Sequence, residues 1–241
     1  MRVLLLGGTG EARDLASRLH PEIAVISSLA GRVPDPALPV GEVRIGGFGG
    51  ADGLADWLTD NAITAVVDAT HPFAATITAN AARAAARVGV PHVVLARPAW
   101  PHGDAIVVPT DTAAAQTVTR HRYRRVFLTT GRSGTAAFRG VDAWFLIRAV
   151  TPPQPELLPD RHRLVLSRGP YRLADELKLL RDNGIDALVT KNSGGAMTQA
   201  KLDAADEAGV PVIMVDRPAL PDGVASVHTV DAAVDWVRAR R

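Results

Sequence analysis

The stretch RVLLLGGTGEARDLASRL, residues 2–19, places an apolar strand, a glycine turn and an amphipathic helix in immediate succession. A helix that starts directly after a strand points its first N–H groups and the positive end of its dipole at the turn. Glycines in the turn let the backbone bend tightly and approach a pyrophosphate closely. The stretch therefore predicts a dinucleotide-binding βα unit, with the cofactor held by Gly7, Gly8, Thr9 and Gly10.

The spacing of this turn departs from the usual dinucleotide fingerprint. Gly8 and Gly10 supply GxG, but Arg13 occupies the third glycine position and Ala12 is the nearest small residue. Taken alone, such a turn also occurs as plain turn geometry. Its place after the first strand of an α/β chain favours the dinucleotide interpretation.

The end of the second predicted strand bears on the choice of cofactor. Residues 27–32 read SSLAGR and contain no carboxylate. An Asp or Glu here would bind a ribose 2′-hydroxyl, whereas an Arg with small polar neighbours accommodates a 2′-phosphate. The sequence thus predicts NADPH, with Ser28 and Arg32 at its 2′-phosphate; the alternative is that Arg32 is a solvated loop residue.

Short runs rich in Val, Ile and Leu alternate with Ala-rich helical stretches along the whole chain, as in parallel α/β sheets. The predicted strands are 2–6, 23–28, 42–45, 64–68, 91–95, 105–108, 125–129, 143–148, 163–167, 186–190 and 211–215. The predicted helices are 11–19, 51–59, 74–88, 111–121, 172–183, 198–208 and 230–240. Eleven strands exceed one small open sheet, so two α/β units are expected.

An internal repeat supports this division. Residues 63–101 align with 185–221, and their closing pieces GVPHVVLARPA and GVPVIMVDRPA share GVP at the start and RPA at the end. A match of this length indicates two related halves, although βα units also resemble one another through shared chemistry. The boundary is predicted at residue 110, with an NADPH-binding domain over 1–110 and a substrate-side domain over 111–241.

The repeat makes two strand ends equivalent, DATHPF in the first half and TKNSGG in the second. Both follow a parallel strand, at the edge where open α/β sheets bind ligands. Thr70 is expected beside the cofactor, and Lys191, Asn192 and Ser193 are expected beside the substrate. His71 and Lys191 are the candidate proton donors, although a lone His at a helix start is also a common local cap.

Cationic and hydroxyl side chains follow two more strands of the second half. Residues 129–132 read TTGR and residues 167–171 read SRGPY, which adds Thr130, Gly131, Arg132 and Arg168 to the substrate side. Arginines without acidic partners are costly to bury. This rim therefore implies either a polyanionic ligand or exposure to solvent.

Composition excludes several other classes of function. The 241 residues contain no Cys, and the seven His residues show no HxxxH or HExxH spacing, so no metal site is expected. A net charge of +2 without a run of basic residues argues against nucleic acid. Neither a signal peptide nor a membrane span is apparent, so a cytoplasmic protein, monomeric or a weak homodimer, is expected.

Seven strings, in chain order, resemble the precorrin-6A reductase family of the cobalamin pathway: LGGTGEA, SSLAGR, GGFGG, VDATHPFA, LTTGR, SRGPY and VTKNSGG with the KLDAADEAGVPVIMVDRP that follows. They run from Leu6 to Pro218, nearly the whole chain. The resemblance implies two related Rossmann-like parallel-sheet domains with a cleft between them. It also implies NADPH-dependent reduction of one double bond of precorrin-6A to give precorrin-6B, or of its cobalt-containing analogue.

Two other functions remain open from the sequence. One is an NAD(P)H reductase of a small acid, of the dihydrodipicolinate reductase kind, which would share the glycine turn and the strand-end His but not the repeated second half. The other is a non-enzymatic NADP(H)-binding sensor, which would bind NADPH without turnover. Precorrins carry many carboxylates, so the tetrapyrrole substrate accounts best for the basic rim.

Overall fold

The structure of the protein is a computed structural model that describes residues 1–31 and 38–241. The strands in this part of the chain are β1 (Arg2–Leu6), β2 (Ala24–Leu29), β3 (Glu42–Ile45), β4 (Ala65–Asp68), β5 (His92–Leu95), β6 (Ile106–Val108), β7 (Arg125–Leu128), β8 (Trp144–Ala149), β9 (His162–Leu166), β10 (Ala187–Lys191), β11 (Val212–Val215) and β12 (Ala225–Val227). The helices are α1 (Gly10–Leu19), α2 (Gly50–Asp60), α3 (Ala75–Val88), α4 (Asp111–His121), α5 (Leu173–Asp182), α6 (Ala200–Glu207) and α7 (Val230–Arg238). Every predicted strand and helix is confirmed, with ends within two residues.

Strand β12 is the element that the sequence analysis missed. Its three residues read ASV, too short and too exposed to show strand patterning. It lies at the outer edge of a sheet, where it pairs in parallel with β5. Pairing with a neighbour distant in sequence, rather than its own composition, makes this segment a strand.

The strands form two six-stranded parallel sheets with the same order. The first sheet runs β12-β5-β4-β1-β2-β3 and the second runs β6-β11-β10-β7-β8-β9. In each sheet a central strand, β1 or β7, is followed by two strands that extend to one edge and two that extend on the other side, and β12 or β6 forms the remaining edge. This is the spatial strand order of dinucleotide-binding folds. The predicted fold class of two related Rossmann-like parallel sheets is therefore confirmed, and β4 and β10 occupy equivalent places.

The chain divides into two compact units that do not coincide with its two sequence repeats. One unit contains residues 1–98 and 218–241, and the other contains residues 99–217. The predicted division into 1–110 and 111–241 differs from this grouping at both ends. The reason is an exchange of edge strands: β6 follows β5 in sequence but pairs with β11, while β12 follows β11 but pairs with β5.

Threonine side chains cap the N-termini of three helices. Thr9, Thr110 and Thr229 cap α1, α4 and α7, each accepting the backbone N–H of the residue three positions on.

The longest helix, α3, has 14 residues, whereas a membrane span needs about 20. Within residues 1–31 and 38–241, none of the helices has the length and apolar character required to cross a membrane.

Apolar side chains cover both faces of the first sheet. On one face Leu15 of α1 and Val237 of α7 pack with β1, β4 and β5. On the other face Leu54 and Leu58 of α2 pack with α3 and the opposite side of the same strands. Helix α7 thus completes the core of the first unit, which explains why the end of the chain belongs there.

The second sheet is covered in the same way. Helices α5 and α6 pack Leu180 and Ala204 against Phe127 on one face. Toward the other face, Phe138 from a short 3₁₀ helix (Thr135–Phe138) meets Phe145 edge to face, with ring centroids 5.6 Å apart. Each unit therefore has its own core, and the polar strand ends lie outside both cores.

Gly53 in α2 gives a test of local packing. A Cβ on Gly53 would lie 3.1 Å from the carbonyl carbon of Phe48 and closer still to its oxygen. Gly53→Ala should lower the free energy of unfolding by about 1–3 kcal/mol through overpacking. The sign is diagnostic because Ala inside a helix is otherwise about 1 kcal/mol better than Gly.

Urea denaturation measures this difference, with Gly47→Ala, in the loop before α2, as the matched control. A Cβ at Gly47 meets nothing within 4 Å, so the control should stay within about 0.5 kcal/mol of wild type. A Gly53→Ala protein as stable as wild type would contradict the close approach.

Candidate active site

Three strand ends of the first unit converge at one edge of its sheet. The N–H of Gly7, after β1, donates to the carbonyl of Ser28 on β2 at 2.9 Å, and the N–H of Ala69, after β4, donates to the carbonyl of Leu6 at 2.9 Å. Strands β2 and β4 flank β1 on opposite sides, so the chain direction of the connections reverses at β1. Ligands of open α/β sheets bind at this switch point.

The glycine turn at this edge has a left-handed backbone at Gly8. Gly8 has φ +109°, and a Cβ added to it would meet nothing within 4 Å among the residues that the structure describes, so these residues leave the space above it open. Thr9 is buried; its hydroxyl accepts from Ala12 N at 3.1 Å and donates to the carbonyl of Ala69 at 2.7 Å. Thr9 therefore fixes the N-terminus of α1, which begins at Gly10, against the end of β4.

A carboxylate stands in the first turn of α1, but it is paired. Both oxygens of Glu11 lie 2.9 Å from Nη1 of Arg97. Burial raises the pKa of Glu11, but the backbone N–H and Arg97 outweigh that effect, so its pKa lies below the usual range. The Arg97 guanidinium thus offsets the charge that would otherwise oppose an anion at this helix N-terminus.

Thr70 lies at the same edge, just after β4. Its N–H and hydroxyl both donate to Oδ1 of Asp68, at 2.9 and 2.6 Å. Asp68 is 1% exposed, and its Oδ2 has no hydrogen-bond partner among the described residues. Asp68 therefore fixes Thr70 at the end of β4 through one oxygen, while its other oxygen is buried.

His71, the first candidate proton donor, is exposed and lies in the turn before α3. Its Nδ1 accepts the N–H of Phe73 at 3.3 Å, and its ring lies 5.8 Å from the Phe73 ring, centroid to centroid. With Nδ1 as acceptor, the neutral ring carries its proton on Nε2.

The end of β2 contains no carboxylate, as the sequence indicated. Ser28 is buried, and its hydroxyl accepts from Nη1 of Arg44 on β3 at 2.9 Å. Arg32, the predicted 2′-phosphate ligand, lies outside the described residues. A cavity of about 10 Å³ reaches from Gly7 to Pro39 among the described residues.

The second unit brings together the ends of β7 and β10. Thr129 donates both its N–H and its hydroxyl to the carbonyl of Val189, at 2.9 and 3.0 Å. Thr130 is 4% exposed, and its hydroxyl finds no partner among the described residues. Gly131 turns the chain with φ +73°, and Arg132 follows, half-buried, with no carboxylate within 4 Å in the described part of the chain.

Lys191, the second candidate proton donor, is held by a carboxylate. Its Nζ lies 3.2 Å from Oδ2 of Asp111, at the start of α4. The other oxygen of Asp111 is buried without a hydrogen-bond partner among the residues described. A Cβ on Gly134 would lie 2.9 Å from that oxygen and against Thr130, so these groups line one small polar corner.

The side chain of Asn192 makes its hydrogen bonds within the second unit. It is fully buried, its Oδ1 accepts from Trp100 N at 2.9 Å, and its Nδ2 donates to the carbonyl of Trp100 at 3.1 Å. Its backbone carbonyl accepts from Nε of Arg217 at 2.7 Å. Ser193 follows in a tight turn, with its N–H donating to the carbonyl of Lys191 at 2.7 Å.

Arg168 follows β9 and is exposed. Strand β9 is two places from β7 in the sheet, so Arg168 shares the edge with Arg132 but stands roughly 10 Å along it. The neighbouring β8 carries Arg148 next to its last residue. The Arg148 guanidinium is buried against both carboxylate oxygens of Glu176 and lies 3.7 Å from the Tyr171 ring centroid. Arg148 is thus a packed residue and not part of the accessible rim.

A cavity of about 600 Å³ also occurs in the second unit, but none of the predicted site residues lines it. Its floor is apolar, with Met214 and Leu202, and its rim is acidic, with Asp203, Asp206 and Glu207. Like charges repel, so this rim disfavours a ligand that carries several carboxylates. The strand ends are the better candidate site.

The structure adds Arg44, Asp68 and Asp111 to the residues that the sequence analysis named. Asp68 could have been suspected because it ends a strand directly before Thr70. Arg44 and Asp111 gave no local signal, since their places depend on strand register and on how α4 packs.

Comparison with known proteins assigns the chain to a family. The family model described as precorrin-6x reductase CbiJ/CobK matches residues 2–238. The chain is 62% identical over 236 residues to a precorrin-6A reductase of Mycobacterium tuberculosis, covering 98% of this chain and 97% of that protein. It is 53% identical over 246 residues to a precorrin-6A reductase of Rhodococcus erythropolis, with 98% and 97% covered. A solved structure described as CobK precorrin-6A reductase superposes with a TM-score of 0.92 at 38% identity, covering 100% of this chain and 97% of that one. The chain therefore belongs to the precorrin-6x reductase CbiJ/CobK family.

Proposed function

We propose that this protein reduces one double bond of precorrin-6A to give precorrin-6B in cobalamin biosynthesis, with NADPH as the reductant. The observation that carries the proposal is the edge formed by β1, β2 and β4 in a chain of this family, because open α/β sheets bind dinucleotides at such an edge. When bound, NADPH supplies a hydride, and the substrate takes up that hydride and one proton while NADP⁺ is released.

The residues of this edge fit the cofactor. The open turn at Gly8 and the N-terminus of α1 suit a pyrophosphate, which Gly7, Thr9 and Gly10 would also contact. Thr70, fixed by Asp68, follows β4 at the same edge. The absence of a carboxylate at the end of β2 favours NADPH over NADH.

The substrate side of the proposal rests on the second unit. Thr130, Gly131, Arg132, Arg168, Lys191 and Ser193 lie at the carboxyl ends of its strands, and we assign them to the carboxylates of the precorrin. Asn192 contributes by fixing Trp100 and the turn around Lys191. The proton is delivered from Nε2 of His71, from Nζ of Lys191 or from water.

An anaerobic assay tests the proposed function directly. Mixing the protein with NADPH and precorrin-6A should consume NADPH and yield precorrin-6B, followed by absorbance. NADPH binding without oxidation in the presence of authentic substrate would support a non-enzymatic sensor. Oxidation with a small cyclic imine acid instead would support the dihydrodipicolinate reductase kind.

Lys191→Ala should raise the KM for precorrin by about tenfold or more, because a charge-assisted hydrogen bond to a substrate carboxylate is lost. The KM for NADPH should change far less. Steady-state kinetics with each substrate varied in turn measure both constants.

The matched control is Lys178→Ala, which removes an exposed lysine paired with Asp182 and should alter neither constant. If Lys191→Ala raised the KM for NADPH instead, the loop that contains Lys191 would be assigned to cofactor binding.

We also propose a cytoplasmic enzyme that acts as a monomer or weak homodimer on a small tetrapyrrole. The individual folded cores of the two units support a chain that needs no partner subunit to fold. Light scattering during size-exclusion chromatography measures the assembly state.

A further inference from the structure

Arg44 lies on β3 directly opposite Ser28 in the register of the first sheet. Ser28 lies near the carboxyl end of β2, and Arg44 lies near the carboxyl end of β3. In dinucleotide-binding folds the ribose of the adenosine, with any 2′-phosphate, occupies this region. Arg44 is therefore a half-buried cation at the place where a 2′-phosphate would lie.

The guanidinium of Arg44 is held in a fixed orientation. Nη1 donates to Ser28 Oγ at 2.9 Å and to the carbonyl of Gly46 at 3.0 Å, and Nη2 donates to the carbonyl of Gly47 at 3.0 Å. The Phe48 ring centroid lies 3.7 Å from Cζ of Arg44. A guanidinium has five N–H donors, so one on Nε and one on Nη2 remain without an acceptor among the described residues. Two donors can bind one phosphate in the bidentate manner typical of Arg.

The charge of Arg44 is not balanced by the described part of the chain. Two other arginines described above, Arg97 and Arg148, pair with Glu11 and Glu176. Arg44 has no carboxylate within 4 Å among residues 1–31 and 38–241. Burial lowers the pKa of the Arg44 guanidinium, because desolvation disfavours its charged form and no anion compensates.

We propose that Arg44 is the residue that recognises the 2′-phosphate of NADPH and sets the preference for NADPH over NADH. The inference rests on the proposed function, and it adds a residue that the sequence analysis did not name. Ser28 and the carbonyls of Gly46 and Gly47 orient the guanidinium, and Phe48 supports its face. The loop GGFGG thereby holds the Arg44 guanidinium in position to bind a phosphate.

Dissociation constants of NADPH and NADH, measured by nicotinamide fluorescence, test the assignment. Arg44→Gln should raise the dissociation constant of NADPH by about 10- to 100-fold, the range for a lost charged hydrogen bond, and that of NADH by less than about threefold. The probe 2′,5′-ADP should bind wild type and lose affinity in the variant, whereas 5′-AMP should be unaffected. Arg44→Lys keeps the charge without the bidentate geometry, so it should restore part of the preference.

Arg87→Gln is the matched control, since Arg87 is an exposed arginine of the same unit paired with Asp52; it should change neither constant. Equal weakening of NADPH and NADH in Arg44→Gln would overturn the proposal and leave Arg44 with the purely structural role of holding its loop. A wild-type protein that binds both cofactors equally would also overturn it. In that case, reduction of precorrin-6A with NADH would leave the reductase function standing.

Discussion

Glu176→Leu should lower the free energy of unfolding by about 3–5 kcal/mol, the cost of leaving one member of a buried ion pair alone. The side chains of Arg148 and Glu176 are 6% and 3% exposed, and both carboxylate oxygens accept from the guanidinium. Removing the carboxylate leaves a buried cation whose remaining neighbours are the rings of Phe127 and Tyr171. Urea denaturation at neutral pH measures the loss.

The double variant Arg148→Met/Glu176→Leu is the control for this prediction. Replacing both charges by apolar side chains removes the desolvation penalty, so stability should return to within about 1–2 kcal/mol of wild type. If the single and double variants were equally unstable, the loss would come from packing of the α5 side chain and not from the unpaired charge.

Gly8→Ala should weaken NADPH binding by about 10- to 100-fold, as expected for the loss of one charged hydrogen bond to the pyrophosphate. At φ +109° an Ala is strained, and the strain is worth about 1–3 kcal/mol. The turn relieves that strain only by moving away from the geometry that the pyrophosphate needs, and the added methyl occupies the open space above Gly8. Isothermal titration with NADPH gives the affinity, and thermal unfolding shows whether the fold persists.

Gly223→Ala separates backbone strain from loss of the cofactor site. Gly223 also has a left-handed φ, +74°, with nothing within 4 Å of an added Cβ, and it belongs to the same unit. This variant should lose stability while keeping its affinity for NADPH. If Gly8→Ala bound NADPH as tightly as wild type, the pyrophosphate could not be assigned to this turn.

The fold could be predicted from sequence because its signals are local. Apolar runs such as VLLL and ALV end at polar turns, and the Thr residues that begin α1, α4 and α7 mark the helix starts within two positions. The exchange of β6 and β12 could not be predicted, because nothing in the composition of either short strand indicates that it pairs outside its own repeat. Only pairing with a distant strand decides which sheet it joins.

The candidate site was predictable where a residue follows a strand in sequence. Gly8, Thr70 and Lys191 are of this kind, and the structure places each at a carboxyl edge. Arg44 stands before the end of its strand and becomes relevant only through the register with Ser28. Asn192 shows the converse, because its polar side chain suggested a ligand contact, yet burial commits it to the backbone of Trp100.

The exchange of edge strands also governs the order in which the protein can fold during synthesis. All six strands of the second sheet lie between Ile106 and Val215, whereas the first sheet lacks β12 until Ala225–Val227 has been made. Chains fold from the N-terminus as they emerge, and an unpaired strand edge is a template for aggregation. The outer edge of β5 therefore stays uncovered on the ribosome until the entire second unit has been translated. The unit that begins first is the one completed last.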